Sequence, residues 1–105
     1  MDKVACVSAV LAAIASNDAV CMRLGSIKPV GTDEQPEAAP FLLLVCRGTE
    51  WEAQAAGMAE VLERIIRHNV PLQWDGGPLS AREAERLYRR CGRFIDWSER
   101  ILASA

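Results

Sequence analysis

Between Val4 and Ala15 the chain carries no charge and a single polar side chain, Ser8. No other feature restricts the fold as strongly. Val4, Val7, Leu11 and Ile14 recur at 3-4-3 spacing, which predicts a helix over about Asp2 to Ser16. The remaining faces hold Ala5, Cys6, Ala9, Val10, Ala12 and Ala13, and a helix that is apolar all round is buried on more than one side. It lies either at the centre of the fold or in the contact between two chains.

The same run has the apolar core of a secretory signal and ends on the A-x-A-like Ala13-Ile14-Ala15. Asp2 cancels the positive charge of Lys3, which weighs against secretion. As an uninterrupted run it also falls short of the about 20 apolar residues that span a bilayer. The expectation is a cytoplasmic chain without a membrane contact.

With 105 residues the chain suits one domain spanning 1–105, large enough for a single core. Half of its residues are apolar and a quarter are charged, as in ordinary globular proteins. The net charge of -2 is unevenly spread. Residues 1–63 hold four basic against nine acidic side chains, a net of -5, while 64–105 hold eight against five, a net of +3. Such polarity suits a surface that meets a complementary one, and it lacks the basic footprint of a nucleic-acid binder.

After Ser16-Asn17-Asp18, the stretch Val20 to Leu24 alternates apolar and polar, which fits a short strand or a continuation of the first helix. Pro29 to Pro40 holds three prolines and three acids and reads as a mobile loop. Phe41-Leu42-Leu43-Leu44-Val45-Cys46, bounded by Pro40 and Gly48, fits a short buried strand. Pairing it with 20–24 gives a two-stranded antiparallel ribbon. A ribbon of that size is marginal alone and needs helices or a second ribbon from another subunit.

Thr49 with Glu52, and Ser80 with Glu83, have capping-box spacing, in which each side chain satisfies an orphan N–H of the other residue. They predict helices from Thr49 to about His68 and from Ser80 to about Ala103. The first has a core stripe of Trp51, Ala55, Met58, Leu62 and Ile65, widened by Val61 and Ile66. Its other side carries Ala53, Ala56 and Gly57, small enough for close helix approach or simply solvated. For the last helix the expected core face is Ala84, Leu87, Tyr88, Cys91, Ile95, Ser98 and Leu102, flanked by Phe94 and Ile101. The linker from Asn69 to Leu79 is turn-rich, with Trp74 expected to plug it onto the core. No internal repeat, heptad array or low-complexity tract is evident. The fold class that results is α+β, helix-dominated, with three main helices and a short ribbon.

Opposite the expected core face of the last helix lie Arg82, Arg86, Arg89, Arg90, Arg93 and Arg100, with Trp97 beside Arg90 and Arg93. Tryptophan and arginine are enriched at interface hot spots, so Arg86, Arg90, Arg93 and Trp97 form the candidate partner-binding set. Glu85 to Arg89 and Asp96 to Arg100 also fit a plain solvated face with i,i+4 pairs. Val7, Val10, Leu11, Ile14, Ala53 and Gly57 form the candidate self-interface of a homodimer.

Cys6, Cys21, Cys46 and Cys91 are widely spaced among apolar residues, which suits reduced core thiols. With no C-x-x-C and a single imidazole, His68, no zinc set of familiar spacing exists and no cofactor is expected. There is no P-loop, G-x-G-x-x-G, G-x-S-x-G or H-E-x-x-H. A cysteine-dependent enzyme therefore ranks behind a binding protein, and an immunity or phage-encoded inhibitor shares the binding class.

In size and in its helix, short strand, helix, helix order, with the 49–68 and 80–103 helices as the matching elements, the chain resembles the small QslA-like anti-activators of bacterial quorum sensing. That resemblance implies a helical dimer which binds the ligand-binding domain of a LuxR-type transcription factor. It would occlude the regulator's own dimerisation surface without any cofactor.

Overall fold

The computed structural model describes residues 3–25, 38–67 and 80–104. They form four α-helices: α1 (Lys3–Gly25), α2 (Ala38–Cys46), α3 (Glu52–Arg67) and α4 (Ala81–Ala103). Among the described residues there is no strand, so the expected α+β ribbon is replaced by helix on both of its sides.

The first correction is at Ser16-Asn17-Asp18, which does not end α1. Ser16 Oγ donates to the Ala12 carbonyl at 2.9 Å, so its hydroxyl folds back onto its own helix instead of capping it. Asn17 is wholly buried, and α1 runs on through Val20 to Leu24 as far as Gly25. The second is at Pro40. It sits in the first turn of α2, where a missing N–H costs nothing because no intrahelical acceptor faces it. Ala38, Ala39, Leu42, Val45 and Cys46 are the buried residues of α2, at helical spacing. Residues 38–40 thus belong to a helix, and the rest of the expected mobile loop, 29–37, lies outside the described residues, as do Trp74 and the 69–79 linker.

Gly48 supplies the reversal after α2 with φ of 76°, the left-handed conformation that suits glycine at a helix C-terminus. Thr49 Oγ1 donates to Cys46 O at 2.6 Å and accepts from Trp51 N at 3.2 Å. The Glu52 carboxylate accepts from Gly48 N at 3.3 Å. The expected capping box is therefore shifted: both side chains tie the turn to the end of α2, and α3 begins at Glu52 itself. At α4 the box forms in part, with Ser80 Oγ accepting from Glu83 N at 3.1 Å and donating to the Glu83 carboxylate at 3.2 Å.

The two longest helices, α1 and α4, each of 23 residues, make the most extensive pairing and run parallel. Near their starts Cys6 Sγ donates to Ala84 O at 3.6 Å. Near their ends the Arg23 guanidinium donates to the carbonyls of Leu102 and Ser104. Among the buried residues of α1, Cys6, Val10, Ala13, Asn17 and Val20 recur at 4-3-4-3 spacing with Cys21 beside them, and among those of α4, Ala84, Leu87, Cys91, Phe94, Ser98 and Ile101 recur at 3-4-3-4-3 spacing with Trp97 beside them. Two 3.5-residue seams facing each other is the arrangement of coiled-coil-like packing. The α2–α3 pair covers the remaining core, where Leu42, Leu62 and Ile65 are fully enclosed.

The buried arc of α4 is rotated by roughly 40° from the expected one at 100° per residue. Phe94 and Ile101 move from its flank to its centre and Trp97 joins it, while Tyr88 is 44% exposed and Ile95 and Leu102 are half-buried. Phe94 and Trp97 meet with ring centroids 5.9 Å apart at 57°. That tilted geometry is one that aromatic pairs favour.

Within the α1 seam, Asn17 Oδ1 accepts from the Cys21 thiol at 3.9 Å, and its Nδ2 has no partner among the described residues. An orphaned buried donor costs about 1–3 kcal/mol. Asn17→Val is expected to raise stability by about 1 kcal/mol, after the small helix-propensity loss of a β-branched residue, as read from urea or thermal unfolding.

Candidate interaction surfaces

The solvent side of α4 divides into three strips along the helix. Nearest α1, Tyr88, Gly92 and Ile95 line a groove with Ala5, Ser8 and Ala9 of α1. Next come the exposed acids Glu85, Asp96 and Glu99. Beyond them Arg82, Arg86, Arg89, Arg93 and Arg100 are all exposed. Among the described residues only Arg89 of this row has an ion-pair partner, Glu85 at 2.8 Å. Both groups are well exposed, so the pair contributes only about 0.3–0.5 kcal/mol. The row is thus a strip of like charge with one helical turn per step from Arg82 to Arg93 and two turns from there to Arg100, and Arg82, Arg86 and Arg89 border a shallow depression with Glu85.

Trp97 does not stand among these arginines as a surface group. It is 2% exposed, and its indole N–H donates to Gln54 Oε1 of α3 at 2.7 Å. Its position at the edge of the arc permits either fate, and the first turn of α3 closes over it. Of the expected partner-binding set, Arg86 and Arg93 are exposed on one strip and Arg90 is half-buried toward Trp97's side of the helix. The hot-spot pairing of exposed tryptophan and arginine therefore falls away, and the arginine strip stands without it.

The expected self-interface is also redistributed. Val10 is wholly buried in the α1–α4 seam, and Val7 and Ile14 are half-buried against the core. Leu11 is 46% exposed. Ala53 and Gly57 are exposed on α3, and a Cβ added at Gly57 would meet nothing within 4 Å, so no close approach within the chain accounts for that glycine. The outer face of α1 instead presents Val4, Ser8, Leu11, Ala12, Ala15 and Met22. Val4 is 74% and Met22 50% exposed. Their spacing was available in the sequence, but it is masked there because the inner face of α1 is equally apolar.

The helix from Val4 to Gly25 has 22 residues and holds an 18-residue stretch with a mean hydropathy of 1.8, long and apolar enough by length and composition to cross a membrane. The apolar run that ends at Ala15 is shorter than a bilayer span, but the helix that carries it continues past Ser16 and is not. A core helix meets the same criterion, and the inner seam of this one is packed on α4.

All four cysteines are free and buried. Burial, then the Asp18 carboxylate and Cys46, push the Cys21 thiol up to about 12. Burial and Cys6 push Cys91 up to about 11, against a small opposing effect of Arg90, and burial alone raises Cys46. A nucleophilic thiol requires the opposite shift. His68 lies outside the described residues, and among those described no group of three or more ligating side chains is close enough to hold a metal ion. No family model, no curated protein and no solved structure matches the chain.

Two outcomes follow from these placements. Trp97→Ala is expected to cost about 3–5 kcal/mol, seen as a lowered unfolding midpoint, because it empties a fully packed site. The thiols are expected to alkylate slowly in the folded protein at neutral pH. The folded state also holds their protons beyond pH 9, where the unfolded chain releases them, so stability should fall as the pH rises from about 9 to 12. Native labelling kinetics and urea unfolding at stepped pH check this pair.

Proposed function

We propose that this chain is a non-enzymatic, cytoplasmic binding protein that captures another protein through the basic strip of α4. The observation that carries the proposal is the exposed row Arg82, Arg86, Arg89, Arg93 and Arg100, with one ion pair along it among the described residues. A row of guanidinium groups on a rigid helix of about 35 Å presents forked donors at fixed spacing to carboxylates on a partner. Charged strips of this kind raise association rates and fix orientation. The acidic strip of Glu85, Asp96 and Glu99 beside it opposes a polyanion such as nucleic acid, which would meet both signs at once.

The raised thiols oppose a cysteine-dependent enzyme. A LuxR-type transcription factor, captured by covering its dimerisation surface, is the partner class supplied by the sequence resemblance. With α2 in place of the expected strand, support for that class now comes from size and helix order alone, and the charge chemistry requires only an acidic protein surface.

The test begins with affinity capture from the native host and identification of the protein held. The double variant Arg86→Glu, Arg93→Glu is then titrated with that protein beside the wild type. Binding weakened ten-fold or more, with a reduced salt dependence and an unchanged unfolding midpoint, is the expected result. Wild-type affinity in the double variant would discard the α4 strip as the partner surface.

A further inference from the structure

We infer that the partner docks on α4 as an acidic helix lying along it, with one basic residue set against Asp96. The inference rests on the proposed capture through the arginine strip and goes further, to the form and charge pattern of what that strip meets. Arg82, Arg86, Arg89, Arg93, Asp96 and Arg100 recur at 4-3-4-3-4 spacing, and all six are exposed. They make a seam of helix-packing period about 27 Å long at 1.5 Å per residue. Its fifth place holds an acid among bases.

Such a row works against the helix that carries it. Arg82 stands in the first turn of α4, where the helix dipole disfavours a cation. Arg82 with Arg86, Arg86 with Arg89 and Arg89 with Arg93 are like charges three or four residues apart, which repel. Asp96 lies one turn from both Arg93 and Arg100, yet among the described residues the only ion pair along the row is Glu85 with Arg89. Conflicts between local preference and fold gather at functional sites. A row of carboxylates laid opposite relieves the repulsion, and a base opposite Asp96 supplies the cation it lacks.

Spacing selects a helix as the occupant. A second helix at a small crossing angle rises by the same 1.5 Å per residue and meets all six places in step. Alternate residues of an extended segment advance by about 6.6 Å, so five steps cover about 33 Å and slip from the row by more than one residue. Charge selects a different protein. Among the described residues, α1 and α2 hold one acid between them, Asp18, and the acids of α3, Glu52, Glu60 and Glu63, stand at 8-3 spacing beside Arg64 and Arg67. The α4 helix of a second copy fits no better: antiparallel about position 91 it sets Arg82 against Arg100 and Arg89 against Arg93, and in parallel each arginine meets itself. A polyanion of uniform charge is repelled at Asp96.

Two labelled peptides of one composition test the pattern by fluorescence anisotropy at low salt. Each carries five Glu and one Lys at 4-3-4-3-4 spacing on an alanine-rich helix, with the Lys second in the row or third. Laid antiparallel, the first peptide sets its Lys against Asp96, whereas the second sets it against an arginine in either direction. The wild-type protein is expected to bind the first about five-fold tighter. Asp96→Arg should lose that preference with its helical circular dichroism unchanged. Equal affinity of the wild type for both peptides overturns the inference, and so does binding of neither. The protein held in the capture experiment separates this inference from the broader reading. Its binding should weaken in Asp96→Arg as well as in Arg86→Glu, Arg93→Glu. Binding lost in the double variant but unchanged or strengthened in Asp96→Arg keeps the strip as a surface for a plain polyanion, nucleic acid or anionic lipid included, and overturns the acidic helix. Wild-type affinity in both variants discards the strip and the inference together.

Discussion

The parallel packing of α1 on α4 is the contact on which the other elements depend. Neither helix is amphipathic in the same way. On α4, charged residues leave only one arc that can be buried, and that arc carries Leu87, Phe94 and Ile101, whose burial contributes about 1.5–3 kcal/mol each. On α1, any face is apolar enough to be covered. The partner with one usable face therefore sets the geometry, and α1 supplies the smaller side chains, Cys6, Val10, Ala13 and Asn17, that let the large ones of α4 seat between them. The ends of this pair are tied by side chain to backbone bonds, from Cys6 at one end and Arg23 at the other.

The α2–α3 pair follows from that contact. Its turn is set by Gly48 and by the Thr49 and Glu52 side chains, so the pair enters the core as one unit. Its arrival decides the fate of Trp97. Lying at the margin of the α4 arc, that side chain is enclosed because Gln54 of α3 receives its indole N–H and Phe94 meets its ring. The arginines on the far side remain in water. Burial of the tryptophan and exposure of the arginines are thus two consequences of one packing choice.

The surface that results has three chemistries in adjacent strips: apolar along α1 and the near edge of α4, acidic beside it, and basic beyond. Separate strips allow separate contacts. An apolar strip left in water carries the hydrophobic cost of its exposure at all times. A strip of arginines is soluble alone and suits a partner that comes and goes. Buried thiols held in the protonated form add no reactive group to either.

Read from its residues alone, the chain determined a good part of this. The starts of α1 and α4, the body of α3, the Ser80 cap, the burial of all four cysteines and the arginine row on α4 follow from local chemistry and period, which belong to each segment. Two matters were settled only by the tertiary structure. Phe41 to Cys46 is too short and too uniformly apolar for period to separate strand from helix, and its helix depends on the turn at Gly48 and the cover that α3 provides. Which face of an apolar helix is covered, and how far round a charged helix the cover extends, depends on neighbours distant in sequence. Hence the run from Val4 to Ala15 announced more than one buried side, but only its packing on α4 showed which side was left open.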